Sequence, residues 1–173
     1  MALYRLSEGG IWNDGCPSGS QRCSTKKLNG RNMTDIPLQE GLLHIPESPD
    51  DKPYLIGSRC KVCGYICFPK KFVCVRCRRD DTMEEVKLGP YGTLETFAVM
   101  RVGTSDFPPP YIMGYVKMKE GASVFALITG CEARDDTLEL GEEMELVVER
   151  VKTDTQGNNL IGWKFSPVKG KIT

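Results

Sequence analysis

The chain of 173 residues has one histidine, His44, and no net charge, because 23 basic residues balance 23 acidic ones. No serine or cysteine lies in a recognisable nucleophile motif, so a single histidine and scattered carboxylates predict no catalytic set. Balanced charge provides no overall field for recruiting nucleic acid or an anionic membrane. No apolar run approaches the roughly 20 residues of a membrane span, and neither a P-loop nor a GxGxxG motif is present. We therefore expect a soluble, non-catalytic chain of one or two small domains.

Cysteine, by contrast, is plentiful, and five of the eight cysteines lie between residues 60 and 77. Cys60 and Cys63 form one C-x2-C pair, and Cys74 and Cys77 form a second pair after ten intervening residues. Two such turns present four thiolates to one tetrahedral ion, and zinc is the default metal for a closed structural site of this kind. Cys67 fits neither pair and is expected to be a small buried residue.

Two other uses of these cysteines are considered. Disulfides suit secreted domains, but the sequence opens with no charged-then-apolar signal peptide. We therefore expect a cytoplasmic, reducing location in which disulfides are disfavoured. Iron also suits four thiolates in two turns, as in a rubredoxin-like electron carrier, and the sequence leaves this alternative open. An anaerobically purified protein with iron would be red, whereas a zinc protein would be colourless.

The chain before the ribbon divides into two predicted segments. Residues 1–32 are rich in Gly, Ser and Asn and lack sustained periodicity, which predicts an irregular extension. Residues 33–54 are interpreted as a docking helix and linker, because a short amphipathic helix from Met33 would put its leucines on one side. This apolar stripe, expected to dock on another subunit, comprises Leu38, Leu42, Leu43 and Ile45. Alternatively, it covers the open end of a barrel in the same chain.

The remaining residues predict a mainly β fold. Residues 55–85 form the predicted zinc ribbon, whose short strands lie at residues 54–59 and 66–72. Residues 86–173 form a second domain, with strands predicted at 92–102, 111–119, 123–130, 144–153 and 159–166. Five short strands without room for a crossover helix predict an antiparallel barrel of the OB type, with a sandwich fragment or SH3-like barrel as the alternative.

Alternation within two of these strands predicts one buried face. In the first strand Leu94, Thr96 and Ala98 would share that face, and in the second Ile112 and Val116 would do so. The Pro-rich segment at residues 103–111 is expected to be a binding loop or a rigid spacer.

The order of these parts resembles the acyl-CoA-associated zinc-ribbon plus OB-fold family, long catalogued as a domain of unknown function. The resemblance covers about residues 35–168 and is carried by LIGSRCKVCG, FPKKFVCVRC, GTLETFAV, PPYIMGYVKM and LELGEEMELVV. It implies a non-catalytic accessory subunit of a thiolase, a hydroxymethylglutaryl-CoA synthase assembly or a MaoC-like hydratase. The implied partner is a thiolase-like condensing enzyme in a hetero-oligomer, with a benzoylsuccinyl-CoA-type thiolase as one candidate. Val75 departs from the proline that this family commonly has there, but the four-cysteine ligand set stays intact.

A coenzyme A site is predicted in the ribbon. Seven basic residues and no acidic residue lie between residues 59 and 79, and part of this charge offsets a four-thiolate zinc centre of about −2. The rest would be free to bind phosphate oxygens through charge-assisted hydrogen bonds. We hypothesise that CoA or acyl-CoA binds at the complex interface through Phe68, Lys70, Lys71 and Arg78, with Phe68 as the stacking face.

A single-stranded nucleic-acid binder is the third class of function, because OB barrels and zinc ribbons both bind such strands. The zero net charge weighs against it. The aromatic residues that would form a stacking platform are Phe97, Tyr111, Tyr115, Phe125 and Trp163, and they would have to share the groove face rather than the core.

Overall fold

The computed structural model describes residues 35–46, 48 and 50–168, and this part of the chain is built from β-strands. The strands are β1 (Asp35–Pro37), β2 (Leu43–His44), β3 (Tyr54–Cys60), β4 (Ile66–Cys67), β5 (Met83–Leu88), β6 (Tyr91–Met100), β7 (Tyr111–Met118), β8 (Ser123–Ile128), β9 (Glu143–Thr153) and β10 (Asn159–Pro167). The described residues contain no helix that is long and apolar enough to cross a membrane. The predicted extension at residues 1–32 lies outside the described residues.

The last five strands close into a barrel, as predicted. Strands β6, β7 and β8 form an antiparallel meander, β9 pairs with both β6 and β10, and β10 returns to β8. The expected all-antiparallel pairing is wrong at one seam, where Lys164 and Phe165 of β10 run parallel to Leu127 and Ile128 of β8. A closed ring with an odd number of strands cannot alternate direction throughout, so at least one pair must be parallel. This ring of pairings is that of an OB-type barrel.

Alternation along the barrel strands fills the core. On β7 the predicted face is confirmed, since Ile112 and Val116 are buried and Tyr115 between them is exposed. On β6 the predicted face is wrong beyond Leu94, because a bulge between Leu94 and Thr96 reverses the alternation. Phe97 therefore packs against the core, whereas Thr96 is exposed.

The ribbon is a second, smaller sheet with β3 at its centre. Strand β5 pairs with β3 along one edge, from Leu55 opposite Leu88 to Cys60 opposite Met83. Strands β2 and β4 share the other edge of β3. Strand β4 ends at Cys67, earlier than predicted, because Pro69 has no N–H with which to continue the ladder.

The ribbon and the barrel share one hydrophobic core. Leu55 and Leu88 are completely buried and belong to the same cluster as the barrel residues Ile112 and Phe165. The predicted boundary between residues 85 and 86 falls inside β5, which carries the chain from the ribbon into the barrel. The ribbon is therefore held to the barrel by packing as well as by the chain connection.

The predicted amphipathic helix is not found in the described residues. Residues 35–46 instead form β1, a turn and β2, and the Leu38 N–H donates to the Ile161 carbonyl oxygen at 2.7 Å. A helix this short is marginal alone, whereas pairing with β10 satisfies the same backbone groups. Gly41, with φ of 70°, also interrupts a helical path.

The four residues of the expected docking stripe consequently do not act as one helical face. Leu43 packs against the hydrophobic core, and Leu42 is half-buried. Leu38 and Ile45 each keep 37% of their surface exposed. Docking on another subunit through these residues stays a prediction.

The shared core predicts a large effect of truncating Leu88. Leu88→Ala should lower the free energy of unfolding by about 2 to 5 kcal/mol, because it leaves a cavity between ribbon and barrel. Leu140→Ala is the matched control, since Leu140 is 65% exposed and its change should stay within about 0.5 kcal/mol. Urea unfolding followed by circular dichroism measures both values. Equal stability of the two variants would contradict a common core.

Candidate metal centre

The four predicted ligands come together at one end of the ribbon. The Sγ atoms of Cys60, Cys63, Cys74 and Cys77 all lie within 4.8 Å of one another. The Cys60 and Cys77 sulfurs are 3.7 Å apart, and the Cys63 and Cys74 sulfurs are 3.6 Å apart. Sulfurs about 2.3 Å from a central tetrahedral ion are about 3.8 Å from each other, so these distances fit one four-coordinate metal.

Two matching backbone turns position the cysteines. The Gly64 N–H donates to the Cys60 carbonyl oxygen at 2.9 Å, and the Arg78 N–H donates to the Cys74 carbonyl oxygen at 2.8 Å. The residue after each second cysteine takes a positive φ, 70° at Gly64 and 56° at Arg78. A residue other than glycine loses roughly 1 to 2 kcal/mol of stability in this conformation. The second turn has this cost, because Arg78 stands where the first turn has a glycine.

Hydrogen bonding prepares part of the cluster for ionisation. The Thr82 hydroxyl and the Cys63 amide hold the pKa of Cys60 at about 6. The Cys77 amide similarly lowers the pKa of Cys74, whereas desolvation raises the pKa of Cys77 to about 11. Metals bind the thiolate form, so the lowered pKa values of Cys60 and Cys74 favour metal binding, whereas a bound cation would be needed to ionise Cys77 near neutral pH.

The donor set indicates what such a metal would do. Four thiolates around a zinc ion leave no open position for water or substrate, so the ion would cross-link the two turns and carry out no chemistry. Iron fits the same donors, and the identity of the metal stays a prediction. In the described residues, Cys67 and Cys131 stand outside the cluster, and burial raises the pKa of both thiols. Cys67 is 7% exposed, as expected of a small buried residue.

The four residues predicted to bind CoA differ in how accessible they are to a ligand. Lys70 Nζ forms an ion pair with Glu85 Oε1 at 2.6 Å, so part of its charge is already neutralised. Phe68 makes an edge contact with Trp163, with ring centroids 5.0 Å apart, and packs against the core. Lys71 and Arg78 are exposed, and within residues 50–168 neither forms an ion pair with a carboxylate. Of the three predicted CoA-binding cations, Lys71 and Arg78 are therefore the two without a carboxylate partner in the described residues, and Phe68 offers little open ring face.

An exposed apolar surface beside the cysteines was missed in the sequence. It is formed by four side chains, which we call the ribbon tip: Val62 at 53% exposure, Phe72 at 93%, Val73 at 48% and Val75 at 52%. Each lies within two residues of a cysteine of the cluster in the sequence, so all four are carried by the two cysteine turns and the chain leading into the second. A sequence signal was available, because Phe72 and Val73 follow the proline that ends β4 and have no strand to bury them.

The aromatic residues proposed as a nucleic-acid platform do not all lie on one face of the barrel. Tyr111, Phe125 and Trp163 line one cavity, whereas Phe97 packs on the core. The lysines of the barrel are neutralised by carboxylates, in the pairs Lys117–Glu95, Lys119–Glu143, Lys152–Asp106 and Lys164–Glu149. The pairing of these lysines with carboxylates weakens the attraction of this surface for a polyanion.

Removing a ligand should unfold the ribbon. Cys60→Ser and Cys77→Ser are each expected to lose the metal and to disorder residues 55–81, because metal binding supplies much of the folding free energy of so small a module. Cys131→Ser is the matched control and should retain one metal ion per chain. Elemental analysis and backbone NMR measure metal content and order. An ordered ribbon without metal in either ligand variant would contradict a structural centre.

Comparison with known proteins agrees with this architecture. Residues 85–149 match the family model described as ChsH2, C-terminal OB-fold domain. The solved structure of the Ltp2-ChsH2(DUF35) aldolase is similar in fold, with a TM-score of 0.53 at 23% identity, covering 66% of this chain and 84% of that one.

Relatives in sequence extend the match across ribbon and barrel. A DUF35 domain-containing scaffold protein of Methanocaldococcus jannaschii is 36% identical over 118 residues, which cover 66% of this chain and 82% of the relative. The benzoylsuccinyl-CoA thiolase subunit BbsA of Thauera aromatica is 34% identical over 124 residues, covering 70% of this chain and 83% of the relative. The family resemblance predicted from the motifs is thereby confirmed, and the chain belongs to the DUF35 family.

Proposed function

We propose that the chain is a non-catalytic accessory subunit that scaffolds a thiolase-like condensing enzyme and helps to bind its CoA substrate. The observation that carries this proposal is the ribbon tip, because a small ribbon that exposes a phenylalanine at 93% has a surface suited to another protein. The relatives support the kind of partner, since one is a scaffold protein and another is a thiolase subunit. A benzoylsuccinyl-CoA-type thiolase is the specific candidate.

The surroundings of the single histidine support a role without catalysis. The His44 ring stacks on Tyr54 with centroids 4.4 Å apart, and its Nε2 lies 2.6 Å from Asp51 Oδ2. Both contacts tie the ring to its own segment of the ribbon. The thiols of Cys67 and Cys131 have pKa values raised by burial, which makes them poor nucleophiles.

The charges around the ribbon tip indicate the chemistry of the partner surface. Arg76, Arg78 and Arg79 are exposed beside the tip, and in the described residues none of them pairs with a carboxylate. Arginine and aromatic side chains are enriched in protein interfaces. The matching surface on the enzyme would be apolar at its centre and acidic around its edge. Leu38 and Ile45, both partly exposed, are a secondary docking surface.

The same arginines and Lys71 lie where the nucleotide end of a CoA thioester could bind. CoA carries phosphates at one end, and exposed cations on a metal-held loop bind phosphate oxygens with little rearrangement. We assign Lys71 and Arg78 the larger share of this binding, because Lys70 is already paired with Glu85. The metal would provide rigidity, and Phe72 would offer an open ring for the adenine in place of Phe68.

The docking proposal predicts that polar substitution of the tip weakens assembly. Phe72→Ser with Val75→Ser should raise the Kd for the condensing enzyme of the same organism by tenfold or more, equivalent to about 1.4 kcal/mol. Val102→Ser is the matched control, since Val102 is 81% exposed but lies in a barrel connection. Titration calorimetry at unchanged metal content measures both. Equal Kd values would contradict docking through the tip, and no complex with the wild-type chain would contradict the accessory role itself.

The CoA proposal predicts a change in KM in the assembled complex. Replacing Lys70 and Lys71 together with Ala should raise KM for the CoA thioester by roughly tenfold, on the scale of 1.4 kcal/mol per decade. Lys71→Ala alone should account for most of the increase, with Lys70→Ala as the matched control. Steady-state kinetics of the intact complex measure each variant. An unchanged KM in the double variant would leave the ribbon without a role in CoA binding.

A further inference from the structure

The barrel has an apolar cavity that is separate from the metal centre. This cavity of about 210 Å³ lies on the outer surface of the barrel, and none of the residues that line it belongs to the ribbon. Its walls include Tyr111 and Phe125, which project outward from β7 and β8, together with Trp163 of β10. Phe107, from the Pro-rich connection between β6 and β7, completes a set of four aromatic side chains.

The position of this cavity is one where OB barrels take ligands. Such barrels bind them on the face of their second and third strands and with the loop between the first and second. Here β7 and β8 are the second and third barrel strands, and Phe107 lies in that first loop. The Pro-rich segment, predicted to be a binding loop or a spacer, therefore contributes directly to the cavity wall.

Close packing of the chain forms the wall nearest the N-terminal strand. Leu38 and Val151 both line the cavity, and a Cβ at Gly162 would lie 2.7 Å from Val151 Cγ2 and 3.5 Å from Leu38 Cδ2. Glycine at this position lets the two side chains close over β10. A hydrogen bond of 2.7 Å from the Leu38 N–H to the Ile161 carbonyl oxygen holds Leu38 in this wall.

The lining determines which ligands would be favoured. None of the lining residues is charged, and the nearby lysines are engaged, with Lys152 3.6 Å from Asp106 and Lys164 3.0 Å from Glu149. The Trp163 indole N–H already donates to the Phe125 carbonyl oxygen at 3.5 Å. Within the described residues no cation lines the cavity to bind an anion, whereas a flat apolar group would meet aromatic faces and methyl groups.

The volume sets the size of the occupant. An apolar cavity of roughly 150 Å³ accepts a benzene molecule, so a cavity of about 210 Å³ has room for one phenyl-sized group and a short substituent. We propose that the cavity is a binding site for an uncharged, phenyl-sized apolar group of a small molecule. The site is formed by this chain alone and does not depend on the accessory role proposed above.

Trp163 provides the direct test. The chain has two tryptophans, so Trp12→Phe leaves Trp163 as the sole indole reporter. Benzyl alcohol added to this full-length chain should change the Trp163 emission saturably, with a millimolar Kd, and benzoate should bind at least tenfold more weakly. A linear response to benzyl alcohol, or equal binding of benzoate, would overturn the proposal.

A larger side chain that fills the cavity distinguishes binding inside it from unspecific binding elsewhere on the protein. Val151→Phe should weaken benzyl alcohol binding by tenfold or more, and the same substitution at exposed Val102 is the matched control. If circular dichroism shows that Val151→Phe is unfolded, the same binding measurement is made on Leu38→Phe, which changes the partly exposed rim of the cavity. Unchanged affinity in the folded cavity variant would overturn the proposal. So would an emission change that occurs only with the condensing enzyme, since the cavity would then hold a partner side chain.

Discussion

Four cysteine sulfurs held within 4.8 Å of one another are the constraint on which the ribbon depends. Four thiolates at this distance would repel strongly unless a cation lay between them, so we expect metal binding and folding of the ribbon to be coupled. Cys60 is the last residue of β3, the strand that pairs with every other strand of the ribbon sheet. At the other end of β3, Leu55 enters the core shared with the barrel. One strand thus links the metal centre to the rest of the protein.

The exposed ribbon tip follows from the same constraint. Two short turns that place four sulfurs around one point would leave little interior for apolar side chains in residues 60–82. Phe72 and the tip valines therefore face solvent, beside arginines that have no carboxylate partner in the described residues. A metal bound by the four cysteines would hold this surface rigid, and a rigid surface loses less entropy when it binds a partner.

Features with local sequence signals could be predicted. The cysteine spacing identified the four thiols that come together and could hold a metal ion, and alternation identified the barrel strands to within a few residues. Features that depend on distant contacts could not. The segment around Leu38 has a helical pattern but pairs with β10, whose residues are more than 100 positions away in the chain. The parallel seam follows from closing five strands, and the bulge after Leu94 reverses a face without any glycine or proline to indicate it. Arg78 shows that hydrogen bonds can impose a positive φ without glycine.

The central claim is that a metal ion bound by the four cysteines holds the ribbon, while packing alone holds the barrel. Amide hydrogen exchange of the full chain, recorded with bound metal and after chelation, measures both parts at once. The account predicts that residues 60–82 lose protection on chelation and regain it when zinc is restored, while β6 to β10 keep their protection throughout. Equal protection of residues 60–82 with and without metal would contradict it.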